Sequence, residues 1–233
     1  MNPESETRVL TAHESGERAT RALFAIGVVW FAASVAVLAI AGAERVVVYL
    51  LLFVGVYGGV LWSVRHRIRP GLARLGLDNT AGFVLLGVGA SSIEETLSFA
   101  AAGPSSLVIP NLPVDLVWIN AIWLGWLLPW YVFIPRRFSF TEREALLVGG
   151  STGVLFEVIV TRIAFSFPLV VLWVPVAWTV YAVVFLAPLQ LVRFPPASSH
   201  RGKVPLALAA TWGPAIGVAL ALYVLFGALG LPR

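Results

Sequence analysis

Cysteine is missing from this chain of 233 residues, and charged residues make up only 12% of it. Without cysteine there can be no disulfide, no catalytic thiolate and no cysteine-ligated metal. Histidine, another common metal ligand, occurs only in polar segments, as His13, His66 and His200. We therefore expect no metal site among the apolar segments, and no pattern indicates a cofactor. The low charge content also excludes an ordinary soluble domain.

Apolar residues are in excess: they form 59% of the chain and give a mean hydropathy of +0.89. An apolar helix of roughly 20 residues spans the ~30 Å hydrocarbon core of a bilayer. The sequence therefore predicts an all-α, polytopic transmembrane helix bundle of about seven spans, a single domain over residues 22–233. The predicted spans are about 22–42, 46–64, 81–102, 114–134, 145–164, 168–192 and 204–229.

The loops between these spans differ in charge. Basic residues gather after the second, fourth and sixth spans, and the positive-inside rule makes those loops cytoplasmic. This predicts a multi-pass protein of the cell membrane with its N-terminus in the cytoplasm and its C-terminus outside. Because the basic residues are spread over separate short loops, we expect the lipid bilayer as partner and no nucleic acid. The polar tail 1–21 is expected to be disordered or a loosely attached surface helix, and the first span a retained anchor.

Three acidic residues lie well inside predicted spans: Glu94 and Glu95 in the stretch SSIEETLSFA, and Glu157 in the fifth span. A charge near the bilayer centre costs ~3 kcal/mol or more, so such residues face protein or a polar cavity. Counted at ~1.5 Å per residue from the inner helix ends, Glu94 lies ~20 Å deep and Glu157 ~18 Å deep. Asn120, ~9 Å below the outer end of the fourth span, falls at the same level. The helical rise thus predicts one polar layer in the outer half of the bundle.

Helical spacing indicates which faces carry this layer. Small and polar residues recur every three or four positions on the third span and every four positions on the fifth. GxxxG spacing on the fifth span allows a neighbouring helix to approach closely, so both stripes are expected to face protein rather than lipid. The first stripe is Gly87, Ser91, Glu94 and Ser98, and the second is Gly149, Gly153, Glu157 and Thr161.

Two further charged residues fall near the outer boundary. Asp115 begins the fourth span, and Arg162 lies one to two turns beyond Glu157. Arg162 is long enough to reach either a carboxylate or the headgroups, and its position fits both. The residues predicted to bind a ligand or a proton are Glu94, Glu95, Glu157, Asn120, Arg162, Ser91 and Ser98.

Two adjacent carboxylates in a low dielectric can hardly both ionise, so at least one is expected to hold a proton near neutral pH. The leading hypothesis is a site that binds or translocates a proton, a cation or a small solute. The alternative is an intramembrane enzyme that uses glutamate acid–base chemistry on a lipid-soluble substrate, namely a lipid, an isoprenoid or carotenoid, or a peptide. A third possibility is a structural or assembly subunit, and an interhelical hydrogen bond explains Asn120 equally well.

Two neighbouring features also allow two interpretations each. Trp123 and Trp126 lie deep in the fourth span. Packing in the core is the expected role for both, and lining an apolar pocket beside the acids is the alternative. The proline-rich segment 103–114 is expected to be an interfacial turn, and folding back over the polar layer is the alternative.

The stretch SIEETLSF, residues 92–99, resembles the P-x-E-E-x-x-F-F motif of the small, seven-span carotenoid lycopene cyclases. Ser92 and Ser98 replace the proline and the first phenylalanine, and a second copy of the motif is absent from the sequence. The Glu94–Glu95 pair also resembles the EE opening of the CAAX-protease and bacteriocin-processing family, whose following arginine and membrane histidines are absent here. Both resemblances imply acid–base chemistry by paired glutamates inside a membrane.

Overall fold

The computed structural model describes residues 3–159, 167–194 and 202–230, and all regular secondary structure in those ranges is helical. The helix Glu44–Arg74 contains an internal π-helical segment, Leu51–Gly58, and a short 3-10 turn, Gly103–Ser106, follows the fourth α-helix. The α-helices are α1 Pro3–Ile40, α2 Glu44–Leu50, α3 Gly59–Arg74, α4 Thr80–Ala102, α5 Leu112–Val132, α6 Ile134–Arg137, α7 Glu142–Ile159, α8 Phe167–Leu189 and α9 Lys203–Ala228.

Six helical stretches are long and apolar enough to cross a membrane, as expected of a multi-pass integral membrane protein. The predicted span 145–164 corresponds to α7, of which the structure describes the part up to Ile159. A count of seven spans and the orientation of the termini therefore stay predictions. The six stretches are Arg18–Ile40, Glu44–Arg74, Thr80–Ser106, Leu112–Arg137, Val170–Leu189 and Lys203–Ala228.

Two helices extend beyond their predicted limits. Helix α1 begins at Pro3, so the polar tail belongs to the same helix as the first span. The second span continues to Arg74 instead of ending near residue 64, which places the basic run after it on helical turns. The helix passes through Pro70 and ends before Gly76, whose positive φ of 69° permits the close of a Schellman motif. Charge thus marked the end of the apolar run and not the end of the helix.

Side-chain caps fix where the site-bearing helices begin. Asn79 accepts hydrogen bonds from the backbone N–H groups of residues 81 and 82 at the start of α4. Asn111 does the same for Val114 at the start of α5. Thr141 and Glu144 form a capping box at α7, with each side chain bonded to the other residue's N–H at 2.9 and 3.2 Å. These caps set the helical register that carries the acidic residues.

Glycines on α7 bring α8 close, as the GxxxG spacing predicted. A Cβ at Gly149 would meet the ring of Phe185, and a Cβ at Gly153 would overlap the ring of Tyr181. The backbone here has room for hydrogen alone, and α7 packs along α8 as a result. This contact determines where Glu157, one turn beyond Gly153, meets its neighbours.

The end of the bundle where α7 begins is held by charged and polar contacts. Lys203 Nζ lies 2.7 Å from a Glu144 carboxylate oxygen. Gln190 donates to Glu142 Oε1 at 2.7 Å, and Arg65 Nε lies 3.8 Å from the same oxygen. These contacts join α3, α7, α9 and the turn that follows α8. Glu142 is fifteen residues from Glu157, which a helical rise converts to about 22 Å, so the acids lie toward the opposite end.

Candidate functional site

A cavity of about 570 Å³ lies at the end of the bundle where α4 terminates. Its walls come from α2, α4, α5, α7 and α8, and from the segment that follows α4. Glu94, Glu95 and Glu157 all line it, and so does Ser98. Separate helices therefore deliver polar groups and aromatic rings to one cavity. Its volume is within the range of about 300–1,000 Å³ that small-molecule sites occupy.

Glu94 is held by a tyrosine from a neighbouring helix. The hydroxyl of Tyr49, on α2, donates to Glu94 Oε1 at 2.5 Å. Tyr49 stands two residues before the π-helical segment, and its ring stacks parallel to that of Phe53, with centroids 6.2 Å apart. The stacking fixes the ring, so the hydroxyl is positioned before any ligand arrives. Hydrogen bonds to a carboxylate are among the stronger ones in proteins.

A second tyrosine stands beside Glu157. The hydroxyl of Tyr181, on α8, donates to Glu157 Oε1 at 3.4 Å. The Tyr181 ring is packed between neighbours, with the centroid of Trp123 at 4.8 Å and that of Trp126 at 5.8 Å. The cavity thus has two Tyr–Glu pairs built from different helices, one on α2 and α4 and the other on α7 and α8.

Glu95 has a buried carboxyl group as its neighbour. Its own side chain is only 7% exposed, and Asp115, at the start of α5, is fully buried and interacts with it electrostatically. Asp115 Oδ1 accepts the backbone N–H of Ile109 at 2.6 Å. Its other oxygen, Oδ2, is buried and accepts no hydrogen bond from the described residues. Two carboxyl groups are therefore neighbours in a buried part of the bundle.

Acidic groups are the chief polar groups of this space. Glu94 and Glu95 interact electrostatically with each other and with both Glu157 and Asp115. No basic residue appears among the cavity-lining residues in the described ranges. In the same part of the chain, no three His, Cys, Asp or Glu side chains are arranged to hold one metal ion together. The cavity therefore has the electrostatics of a cation or proton site without the compact geometry of a chelating one.

The remainder of the wall is apolar and aromatic. Trp123, buried in the core, also reaches the cavity, together with Phe156 and Trp173. Trp126 packs behind Trp123 with ring centroids 5.1 Å apart and does not line the space. Trp126 therefore packs in the core, as expected, whereas Trp123 both packs in the core and lines the cavity.

The segment after α4 covers the mouth of the cavity. Residues Ser105, Ser106, Leu107 and Val108 contribute to its lining. Ile109 is buried, with 1% of its surface exposed, and is fastened to Asp115 by its N–H. The segment therefore lies over the cavity that holds the acids, as the alternative of a fold-back expected, and its position relative to the membrane interface stays a prediction.

No family model, curated protein or solved structure matches the chain. The inference of a function therefore rests on the geometry of the cavity.

Some of the predicted site residues line the cavity, and others do not. Glu94, Glu95, Glu157 and Ser98 come together at the cavity as expected. Ser91 and Asn120 do not line it, and Arg162 lies outside the described residues.

Asn120 joins two helices beside the cavity. Its amide donates to Ser92 Oγ at 3.0 Å and accepts the hydroxyl of Ser91. Both serines precede Glu94 on α4, so Asn120 ties α5 to α4 slightly deeper than the acids. The interhelical hydrogen bond is therefore its role in the structure.

Asp115, Tyr49 and Tyr181 are site residues that the sequence pattern did not indicate. Asp115 was expected at the outer boundary, but the folded-back segment buries it. The two tyrosines stand in unbroken apolar runs, where nothing distinguishes a hydroxyl that meets a carboxyl from one that reaches the headgroups. Only the register between neighbouring helices decides which it is, and a single sequence does not contain that register.

Proposed function

We propose that this protein binds a proton or a cation at the carboxyl groups of the cavity and moves it across the membrane. The observation that carries the proposal is the cavity itself, which Glu94, Glu95 and Glu157 line together. Intramembrane acids are costly and persist chiefly where they bind or relay charge. A carboxyl group that releases its proton becomes a site for a cation, so the two ligands compete.

The opposite end of the bundle favours translocation over simple binding. The cavity opens near the end of α4, and the Lys203–Glu144 and Arg65–Glu142 contacts hold the other end, about 22 Å away along α7. A transporter exposes one site to the two sides of the membrane in turn. The ion pairs would close one side while the cavity serves the other, and they can break without rearranging the apolar core.

Flux into reconstituted vesicles tests the proposal. Vesicles are prepared with an acidic interior and a trapped pH-sensitive dye, and sodium or benzyltrimethylammonium chloride is added outside. We expect at least one of the two cations to raise the interior pH at least about twice as fast as in protein-free vesicles, because the carboxyl group that delivers a cation to the interior takes up a proton there and releases it outside. Equal rates with and without protein for both salts would contradict translocation.

A second candidate is acid chemistry on a lipid-soluble substrate. The 2.5 Å contact between Tyr49 and Glu94, in a space walled by Trp123 and Phe156, also suits a general acid that protonates an apolar molecule. Transport leaves its substrate chemically unchanged, whereas catalysis does not. Lipid and pigment extracts from cells with and without the protein separate the two, since a compound that appears or disappears with the protein favours the enzyme.

A further inference from the structure

The acids of the cavity lie at one end, whereas apolar side chains line it along its whole length, joined near the mouth by Ser105 and Ser106. Glu94 and Glu95 mark its deep end on α4, and Ala101 and Ala102 line it seven or eight residues later. At the helical rise this separates the two levels by about 10 Å. The cavity is therefore elongated along the bundle, with its acids at one end.

Helix α8 also places polar and apolar lining residues at different ends of the cavity, in the opposite order along the chain. Tyr181, beside the acids, lies at the deep end, and Val176 and Trp173 follow toward the mouth. Trp173 is eight residues from Tyr181, or about 12 Å at the helical rise. Val108, in the segment after α4, lines the same cavity as Trp173 and Val176. A ligand that fills the space meets carboxyl groups with one end and indole and aliphatic surface with the other.

The placement of all the acids at one end of a larger, mostly apolar cavity favours some cations over others. A metal ion needs several oxygen ligands at short range, and the described residues provide no cluster of three acids for it. A metal ion would also leave most of the 570 Å³ unfilled. An organic ammonium ion can pair with a carboxylate while its substituents contact aromatic faces, which attract cations as well. The second acidic group, Glu95, has the buried Asp115 as neighbour, so Glu94 is the better partner for the ligand's charge.

We propose that the ligand is an organic ammonium ion with an apolar or aromatic body, bound with its nitrogen at Glu94 and its body against Trp173, Val176 and Val108. This inference rests on the proposed cation-binding function and narrows its substrate class. The carboxyl groups supply the charge recognition, and the wall nearer the mouth supplies the selectivity for size and hydrophobicity.

Calorimetric titration of the purified protein in mild detergent tests the substrate class with three probes: benzyltrimethylammonium, tetramethylammonium and sodium, all as chlorides. We expect benzyltrimethylammonium to bind at least about tenfold more tightly than tetramethylammonium, because the benzyl group buries apolar surface near the mouth. Sodium is expected to produce no saturable heat.

Trp173→Leu probes the apolar level directly. Trp173 is partly exposed, so its replacement disturbs the core less than a change at Trp123 would. The variant is expected to weaken benzyltrimethylammonium binding at least about threefold and to leave tetramethylammonium binding unchanged. Trp30→Leu is the matched control, since Trp30 lies on α1, is 37% exposed and does not line the cavity.

The outcomes separate this inference from the proposed function. Saturable binding of sodium without binding of benzyltrimethylammonium would overturn the inference and leave a cation site in place. Equal affinities for the two ammonium ions would also overturn it, because the apolar wall would then have no role. Binding of none of the three probes would contradict both. The comparison of probes on the wild-type protein distinguishes these outcomes even where Trp173→Leu does not fold.

Discussion

Glu94→Gln is expected to weaken the binding of benzyltrimethylammonium at least about 30-fold, a loss of about 2 kcal/mol or more. The substitution keeps the shape of the side chain, and its amide oxygen can still accept the hydroxyl of Tyr49, which bonds Glu94 Oε1 at 2.5 Å. What is lost is the negative charge in a space where the ligand's cation has little water around it. Calorimetric titration of the purified variant measures the change.

Glu44→Gln is the matched control for this experiment. Glu44 begins α2 at the same end of the bundle, but it is exposed and does not line the cavity. The same loss of one formal charge there is expected to change the affinity less than about twofold, because exposed charges are screened. Comparable effects of the two substitutions would assign the binding to the general charge of the protein. An unchanged affinity in Glu94→Gln would remove Glu94 from the site.

Gly153→Ala is expected to destabilise the fold by about 1–3 kcal/mol, the usual cost of overpacking. Its new methyl group would overlap the ring of Tyr181, which cannot retreat easily because Trp123, Trp126 and Phe156 pack around it. The free energy of unfolding in mixed micelles, followed by tryptophan fluorescence, measures this effect. Movement of Tyr181 would also disturb its contact with Glu157.

Gly217→Ala provides the comparison on another helix. Gly217 lies within α9, is exposed, and has open space around the position that a Cβ would take. The same added methyl is expected to leave the free energy of unfolding unchanged or slightly raised, since alanine favours a helix more than glycine does. An equal loss in both variants would mean that glycine matters here for the helix backbone and not for the contact between α7 and α8.

The parts of the fold that local physics determines could be predicted from the sequence. Apolar length located the helices, and the spacing of Gly149 and Gly153 correctly placed that face of α7 against a neighbour. The cost of burying charge likewise predicted that Glu94, Glu95 and Glu157 lie together, and all three line one cavity. Each of these inferences used distances along one helix, which the helical rise fixes.

Features that depend on the contact between helices could not be predicted in this way. Asn120 hydrogen-bonds Ser91 and Ser92, a contact that depends on the relative heights of α4 and α5. Tyr49 and Tyr181 meet the glutamates through the register of α2 and α8, which apolar runs leave undetermined. The burial of Asp115 follows from the fold-back of residues 103–111, and no local pattern distinguishes that path from a surface turn.

The central claim is that Glu94 is a carboxyl group inside the membrane domain which a cation can occupy. Dicyclohexylcarbodiimide, an apolar reagent that reacts with carboxylic acids, tests it in intact membranes, with the modified peptides identified by mass spectrometry. We predict that Glu94 is modified while exposed Glu44 is not, and that benzyltrimethylammonium slows the reaction at Glu94 in proportion to its occupancy. Failure of Glu94 to react, or reaction at a rate that the cation leaves unchanged, would contradict the account.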